Sequence, residues 1–176
     1  MQPFDSIVIS SSLTQLNSVT PLSESRQKFL RFALGFQERG LLPLEQIAEV
    51  LSVTIADILP VPEMPSCVLG IYNWRGKMLW LVDLNHLLDY PPLSPPEQSV
   101  ALMVMVIQIN GQSIGLVVQY VKDIELYDPV HIQPATADLF PAKLLSFILG
   151  YLPSANGLVL DSLAIARCPL WQFHRS

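Results

Sequence analysis

Hydrophobic residues recur along this chain in short runs, many of them alternating with polar residues and nearly all bounded by turn residues. The runs are rich in Val, Ile, Leu and aromatic residues, a pattern typical of β-strands. Glycine turns between them, such as NGQ at 110–112 and RGK at 75–77, supply the hairpin connections. The candidate strands are 28–35, 40–43, 49–54, 68–74, 77–83, 100–109, 113–118, 121–127, 147–152 and 157–161.

Helical segments are few and short, so the pattern predicts an all-β fold with a few short helices. The candidate helices are 43–48, 84–89, 137–145 and 162–166.

The two halves of the chain resemble each other in the order and spacing of their motifs. The matching pairs are IAEV at 47–50 with VKDI at 121–124, VLGI at 68–71 with ILGY at 148–151, and LVD at 81–83 with VLD at 159–161. Such a repeat indicates a duplicated small β-barrel, that is, two tandem five-stranded barrels. Each barrel alone has too little core to be robust, so we expect the two to pack against each other.

A proline-rich stretch, YPPLSPPEQS at 90–99, separates the halves and is the best linker candidate. We therefore expect a clear sequential division of the chain. Its parts are a flexible N-terminal extension at 1–27, a first barrel at 28–92, a linker at 93–98, a second barrel at 99–166 and a C-terminal tail at 167–176.

Composition narrows the function classes. The net charge is -5, and the ten Lys and Arg residues form no run, which argues against a nucleic-acid partner. Hydrophobic residues make up 51% of the chain and charged residues 14%, more apolar material than a monomer of this size normally hides. No apolar stretch is long enough for a membrane helix and no signal peptide is evident, so we expect a cytoplasmic protein that does not insert into the membrane.

Candidate catalytic and metal-binding residues form no recognisable motif, so no cofactor or metal is expected. His86, His131 and His174 lie in three unrelated contexts, and Cys67 and Cys168 have no ligand companion nearby in the sequence. The two cysteines are expected to be core residues, although the sequence alone leaves a disulfide open.

Asp83 and Asp161 occupy matching positions and could be paired as general acid and base. Each also directly precedes a helical segment, where an aspartate caps exposed backbone N–H groups, and we favour this structural role. Gly70 and Gly150 match each other too and are expected to be structural, near turns. The chain carries none of the common nucleotide, metalloprotease or hydrolase motifs, which favours a binding module over an enzyme.

The segment GIYNWRGKMLWLVDL at 70–84 places Trp74 and Arg75 at a predicted hairpin turn. Arginine and tryptophan are enriched at the energetic centres of protein interfaces, so a partner could cover them. The structural alternative is a solvated Arg75 beside a Trp74 that folds back on its own barrel.

The ordered motifs of residues 28–166 resemble the CheW-like family, the chemotaxis coupling proteins. The resemblance rests on a strand ending G-x-x-N-x-R-G, followed by a strand ending Asp-Leu, with Gly70, Asn73, Arg75, Gly76 and Asp83 on those positions. It extends to GQSIGLVVQYVKDI in the second half and to ILGYL and GLVLDSL near the end.

The resemblance implies two SH3-like five-stranded barrels and no enzymatic activity. It also implies an adaptor that couples the cytoplasmic tips of methyl-accepting receptors to the regulatory domain of a CheA-type histidine kinase, in chemotaxis, phototaxis or pilus motility, with recruitment to receptor arrays at the membrane. The receptor-binding surface implied is the turn of Asn73, Trp74, Arg75 and Gly76. The alternative is a small-molecule sensory module with Tyr72, Trp74 and Trp80 lining a groove between the barrels.

Overall fold

The computed structural model describes residues 25–36, 38–93 and 101–168, and strands dominate this part of the chain. The strands are β1 (Gln27–Leu34), β2 (Glu38–Pro43), β3 (Ile47–Thr54), β4 (Val68–Trp74), β5 (Lys77–Asp83), β6 (Ala101–Ile109), β7 (Gln112–Val118), β8 (Val121–Tyr127), β9 (Ile148–Leu152) and β10 (Gly157–Leu160). The helices are α1 (Leu84–Leu87), α2 (Ala142–Leu145) and α3 (Ser162–Ala166). Short 3-10 turns occupy 44–46, 55–57, 129–131 and 153–155.

The ten predicted strands are all present, with ends displaced by no more than two residues. The predicted all-β class with a few short helices is confirmed. The predicted flexible extension falls largely outside the described residues, as does the predicted tail beyond Cys168; Gln27, assigned to the extension, begins β1.

The strands form two five-stranded sheets, which we name barrel 1 (β8-β1-β2-β10-β9) and barrel 2 (β3-β6-β7-β5-β4). In each, the chain that leaves one edge strand crosses to the opposite edge and pairs there. After β3, Leu59 pairs with Ile71 of β4, and after β8, Gln133 pairs with Tyr151 of β9. These backbone bridges close the sheets into barrels.

Gly70 and Gly150 make the two closures possible. They lie within β4 and β9 and not in turns, which corrects the expectation for both. A Cβ atom at Gly70 would lie 2.2 Å from the carbonyl oxygen of Leu59, and one at Gly150 would lie 2.2 Å from that of Gln133. Only glycine lets the crossing backbone approach so closely.

The predicted division of the chain into barrels at 28–92 and 99–166 is wrong. Barrel 2 is built from the continuous segment 47–118, which contains the proline-rich linker, and barrel 1 is built from the strands on either side of it. The sequence repeat is real, but the repeats exchange their first hairpins. Hairpin β1–β2 joins β10 of the second repeat through a parallel pairing, and hairpin β6–β7 joins β5 of the first repeat in the same way.

The hydrophobic core has three parts because successive side chains of a strand point to opposite faces. On β6, Val104 and Val106 point into barrel 2, while Met105 and Ile107 point toward the other barrel. The largest cluster lies between the barrels and draws residues from both, including Leu30 of β1. The barrels therefore share the cluster that lies between them and are not independent domains.

Barrel 1 holds a buried arginine. Arg31 of β1 is 6% exposed and its Nη2 lies 2.6 Å from Oε2 of Glu125 on β8, with the Tyr127 hydroxyl 3.1 Å away. Burial raises the pKa of the Glu125 carboxyl, but hydrogen bonds from Tyr127 and Arg31 outweigh it and hold that pKa below its usual value. The charge of Arg31 is thus paired and hydrogen-bonded, as a buried charge must be.

Candidate functional site

The hairpin between β4 and β5 turns tightly at the two residues Arg75 and Gly76. Both have positive φ, 52° and 79°, which defines a type I′ turn. The side-chain oxygen of Asn73 accepts a hydrogen bond from the backbone N–H of Gly76 at 3.0 Å. Asparagine and glycine in the N-x-R-G motif therefore shape the turn, since one caps it and the other tolerates its backbone conformation.

Arg75 is an unusual residue at its position in this turn. A non-glycine residue with left-handed backbone conformation costs roughly 1–2 kcal/mol. Strained residues of this kind persist where the surrounding structure holds them in place. The contacts of the Arg75 side chain supply that support.

Glu49 of β3 joins Arg75 to Trp74. Its Oε2 atom lies 3.1 Å from Nη2 of Arg75 and accepts a hydrogen bond from the Trp74 indole N–H at 2.8 Å. The guanidinium carbon of Arg75 lies 5.0 Å from the centroid of the Trp74 ring, within cation–π range. The Arg75 side chain is thus fixed in direction although it remains 65% exposed.

Trp74 is largely buried. It is 7% exposed and packs into the core of barrel 2 with Leu79 and Val104, as the structural alternative for its ring described. Its own barrel covers the ring, and Glu49 satisfies its N–H. What the turn presents to solvent is Asn73, Arg75 and Gly76.

Glu49 was not anticipated as a site residue, although the sequence holds a signal for it. In IAEVLSVT the positions of Leu51 and Val53 alternate with solvent-facing ones, and Glu49 falls in the same inward phase. A carboxylate in the inward phase of a strand needs a buried donor. The Trp74 indole is that donor.

The matching aspartates each serve their own helix. Oδ1 of Asp83 accepts from the His86 backbone N–H at 3.2 Å, and Oδ1 of Asp161 accepts from that of Ala164 at 3.1 Å. Burial raises the pKa of the Asp83 carboxyl, against the opposing effect of its backbone hydrogen bonds from His86 and Leu93. Both aspartates thus occupy the capping positions that the sequence favoured over an acid–base pair.

The remaining candidate residues do not converge. Within the described residues, no three metal-ligating side chains come together. Cys67 and Cys168 are both free and buried in the cluster between the barrels, and His174 lies outside the described residues.

The aromatic residues of the sensory-module alternative do not share a groove. Trp74 belongs to the core of barrel 2, whereas Trp80 is 8% exposed and packs in the cluster between the barrels. Tyr72 packs against the barrel 2 core. The small-molecule alternative is therefore not supported.

A family profile described as the CheW-like domain matches residues 28–167, which include both barrels and the Asn73–Gly76 turn. The chain belongs to the CheW-like family. Members of this family are non-catalytic scaffold proteins of chemotaxis, so this protein is an adaptor and not an enzyme.

Two curated relatives place the CheW-like chain among chemotaxis proteins. It is 30% identical over 136 residues to the chemotaxis protein CheW of Rhizobium meliloti (strain 1021), covering 77% of this chain and 83% of that protein. It is 29% identical over 117 residues to the probable chemotaxis protein CheW of Rhizobium etli (strain ATCC 51251), covering 66% and 72% of the two chains.

A crystal structure of the scaffolding protein TtCheW from Thermoanaerobacter tengcongensis has the same fold, with a TM-score of 0.62. Sequence identity to TtCheW is 23%, and the match covers 76% of this chain and 86% of that one. The two SH3-like barrels predicted from the sequence are thereby confirmed. Within the described residues of this CheW-like protein, no helix has the length and hydropathy needed to cross a membrane.

Proposed function

We propose that this protein couples methyl-accepting chemoreceptors to the regulatory domain of a CheA-type histidine kinase in the cytoplasm, where receptor arrays recruit it. Membership of the CheW-like family supports this coupling role. The contact on this chain is the turn surface formed by Asn73, Arg75 and Gly76, supported from below by Glu49 and Trp74.

The orientation of Arg75 is the observation that carries the proposal. An exposed arginine normally loses side-chain entropy when it binds a partner. Here Glu49 and the Trp74 ring already restrain the guanidinium, and the strained backbone turn projects it outward. Preorganisation of this kind favours binding because the side chain is already ordered in the free protein, so less conformational entropy is lost when the partner binds.

An exposed methionine extends the same surface. Met78 of β5 pairs with Asn73 across the hairpin, and its side chain is 76% exposed. Methionine adapts its shape to apolar partners, and an arginine beside an apolar side chain suits the amphipathic surface of a receptor helix.

The substitution Arg75→Glu tests the proposal. We expect receptor affinity to fall by about 2 kcal/mol or more, roughly thirtyfold, because the guanidinium is lost and Glu49 then faces a like charge. Binding of the receptor's cytoplasmic tip and of the kinase regulatory domain should be measured separately by titration calorimetry, beside a thermal melt.

Lys77→Glu is the matched control, because Lys77 is exposed, is two residues away and undergoes the same change of charge. The proposal predicts much weaker receptor binding for Arg75→Glu than for Lys77→Glu. Equal receptor binding by the two folded variants would contradict it and move the receptor surface elsewhere on the barrels.

A further inference from the structure

The two exchanged hairpins join their barrels through the same kind of backbone pairing. Hairpin β1–β2 joins barrel 1 through β8 and β10, and hairpin β6–β7 joins barrel 2 in the same way through β3 and β5. In both cases the first strand of the hairpin is antiparallel to its neighbour and the second strand is parallel. Exchange of equivalent elements between copies of a chain is a characteristic folding error of repeat proteins. Side chains must therefore distinguish the two hairpins.

The strand registers show which side chains occupy equivalent positions. Leu30 of β1 pairs with Ile124 of β8, and Met105 of β6 pairs with Val50 of β3. Leu30 and Met105 both pack in the cluster between the barrels, so they are equivalent, and the next residue on each strand points into its barrel. The equivalent pairs inside the barrels are Arg31 and Val106, Glu125 and Leu51, and Tyr127 and Val53.

The polar network inside barrel 1 is divided between the hairpin and the edge strand. Oε2 of Glu125 accepts hydrogen bonds from Nε and Nη2 of Arg31, at 3.0 Å and 2.6 Å. The same atom accepts a hydrogen bond from the Tyr127 hydroxyl, which also accepts one from Nη2 of Arg31. Barrel 2 has aliphatic side chains at the equivalent positions, and Val53 and Val106 are buried in its core. The hairpin therefore supplies the cation of barrel 1, and β8 supplies the acceptors.

A hairpin in the wrong barrel would break this network. Hairpin β1–β2 in barrel 2 would place Arg31 against Leu51 and Val53, whose side chains cannot accept a hydrogen bond. Hairpin β6–β7 in barrel 1 would leave Glu125 facing Val106 without its cation. A buried charge that loses its partner is strongly destabilising, whereas replacement of both partners by apolar residues is well tolerated. Both correct pairings are thus satisfied, and both incorrect pairings leave an uncompensated charge inside a barrel.

We propose that the network of Arg31, Glu125 and Tyr127 determines which barrel accepts which hairpin. It confines hairpin β1–β2 to barrel 1 and prevents this hairpin from completing barrel 2 of a second copy during folding. The network acts mainly by penalising the incorrect pairing, which is one of the ways in which proteins discriminate between similar partners. Domain-swapped assembly of the duplicated fold is thereby suppressed.

A triple variant, Arg31→Val/Glu125→Leu/Tyr127→Val, removes the distinction between the barrels. It gives barrel 1 the aliphatic residues of barrel 2, so the protein should still fold, but each hairpin then suits both barrels. We expect severalfold more dimer from this variant than from the wild type when each refolds from urea at high concentration. Size-exclusion chromatography measures the total dimer, and a disulfide cross-link identifies the dimer in which the hairpin has entered the wrong barrel.

Cysteines at positions 28 and 52 report the incorrect pairing. Lys28 of β1 pairs with Leu126 of β8, and Ser52 is the residue of β3 that is equivalent to Leu126. Lys28 and Ser52 are both exposed. A chain with Lys28→Cys and a chain with Ser52→Cys are refolded together under reducing conditions. The thiol oxidant diamide is added only after refolding, when the native Cys67 and Cys168 are buried.

The yield of disulfide-linked dimer should be severalfold higher in the triple variant than in chains with the intact network. The same chains folded separately and then mixed give the background from random collision, which is subtracted. Leu152→Ala weakens the core of barrel 1 but leaves the network in place, and it should not raise the yield. Equal yields with and without the network would overturn the proposal. So would an equal rise in Leu152→Ala, because instability alone would then explain the dimer.

Two variants of barrel 2 test the same proposal while barrel 1 is unchanged. Leu51→Glu provides an acceptor for Arg31 at the position equivalent to Glu125, whereas Leu51→Lys introduces the opposite charge at the same half-buried site. The cross-link between positions 28 and 52 should increase severalfold in Leu51→Glu and should not increase in Leu51→Lys. Equal cross-linking in these two variants would contradict the proposal.

Discussion

Trp74 and Arg75 are neighbours in the chain, but their side chains lie in opposite environments. The ring of Trp74 is buried and the guanidinium of Arg75 is exposed, and a single carboxylate, Glu49, binds both. Trp74 is the last residue of β4 and packs into the barrel, whereas Arg75 lies beyond the strand, in a left-handed turn that directs its side chain to solvent. The sequence shows an aromatic residue beside a turn and cannot show which face of the strand it lies on.

Glu49 should contribute more to stability than Arg75 does. In Glu49→Ala the buried Trp74 N–H loses its acceptor, which typically costs about 1–3 kcal/mol. In Arg75→Ala the buried N–H keeps its acceptor, and the losses are a solvent-exposed ion pair, worth about 0–1 kcal/mol, and an exposed cation–π contact, worth about 0.5–1 kcal/mol. Urea unfolding of the two variants checks this order, and a more stable Glu49→Ala than Arg75→Ala would contradict it.

Glu125 should make folding sensitive to acid. Its pKa is lowered in the folded protein, so its stabilising effect is present above the unfolded-state pKa, about 4.3. That effect is lost as the pH falls through the lowered value. We therefore expect the urea concentration at the unfolding midpoint to decrease as the pH is lowered from 5 to the lowest pH at which the protein remains folded.

Glu125→Gln is the control for this acid sensitivity. It keeps the shape of the side chain but removes the titrating group that faces Arg31 and Tyr127. Its midpoint should change less with pH than that of the wild type. The same pH dependence in both proteins would assign the acid sensitivity to other carboxylates.

At the scale of the elements, local pattern was sufficient to find the strands but not to pair them. Alternation and turn residues predicted each strand to within two residues. The parallel pairings of β2 with β10 and of β5 with β7 join residues far apart in the sequence, and no local pattern encodes them. A duplicated sequence is equally compatible with hairpins that stay in their own repeat and with hairpins that exchange.

The glycine at each barrel closure offers a direct test of that contact. Gly150→Ala places a methyl group 2.2 Å from the Gln133 carbonyl oxygen, a backbone atom that cannot move without breaking its pairing with Tyr151. Overpacking of this kind costs about 1–3 kcal/mol, and the lost bridge adds to it.

Gly111→Ala is the comparison for Gly150→Ala. Gly111 lies in a turn with φ of 77°, and an added Cβ there meets no atom within 4 Å. It should cost only the backbone strain of about 1–2 kcal/mol. Thermal melts that rank Gly111→Ala as the more damaging change would show that the bridge at Gly150 does not hold barrel 1 closed.

At the scale of the whole molecule, a cut in the linker divides both barrels. Fragment 1–93 carries two strands of barrel 1 and three of barrel 2, and fragment 94–176 carries the complementary strands. Neither fragment can close a barrel, so we expect each alone to lack a cooperative unfolding transition.

An equimolar mixture of the two fragments should recover the folded protein, because every strand then has its partner. Circular dichroism and thermal melts of each fragment and of the mixture check this expectation. A cooperative transition in either fragment alone would contradict it. The full chain cleaved once in the linker is the positive control and should stay assembled.

Because the hairpins are exchanged, the strands of barrel 2 are all synthesised before the last strands of barrel 1. Barrel 2 has all its strands once β7 has left the ribosome, whereas β1 and β2, synthesised first, must wait for β8, β9 and β10. Unpaired strands are exposed to aggregation for as long as their partners are missing. One face of β1, with Leu30, Phe32 and Leu34, packs into the cluster shared with barrel 2. Barrel 2, which is completed first, therefore provides an apolar surface on which the β1–β2 hairpin can pack. Barrel 1 then closes against barrel 2, which serves as its template.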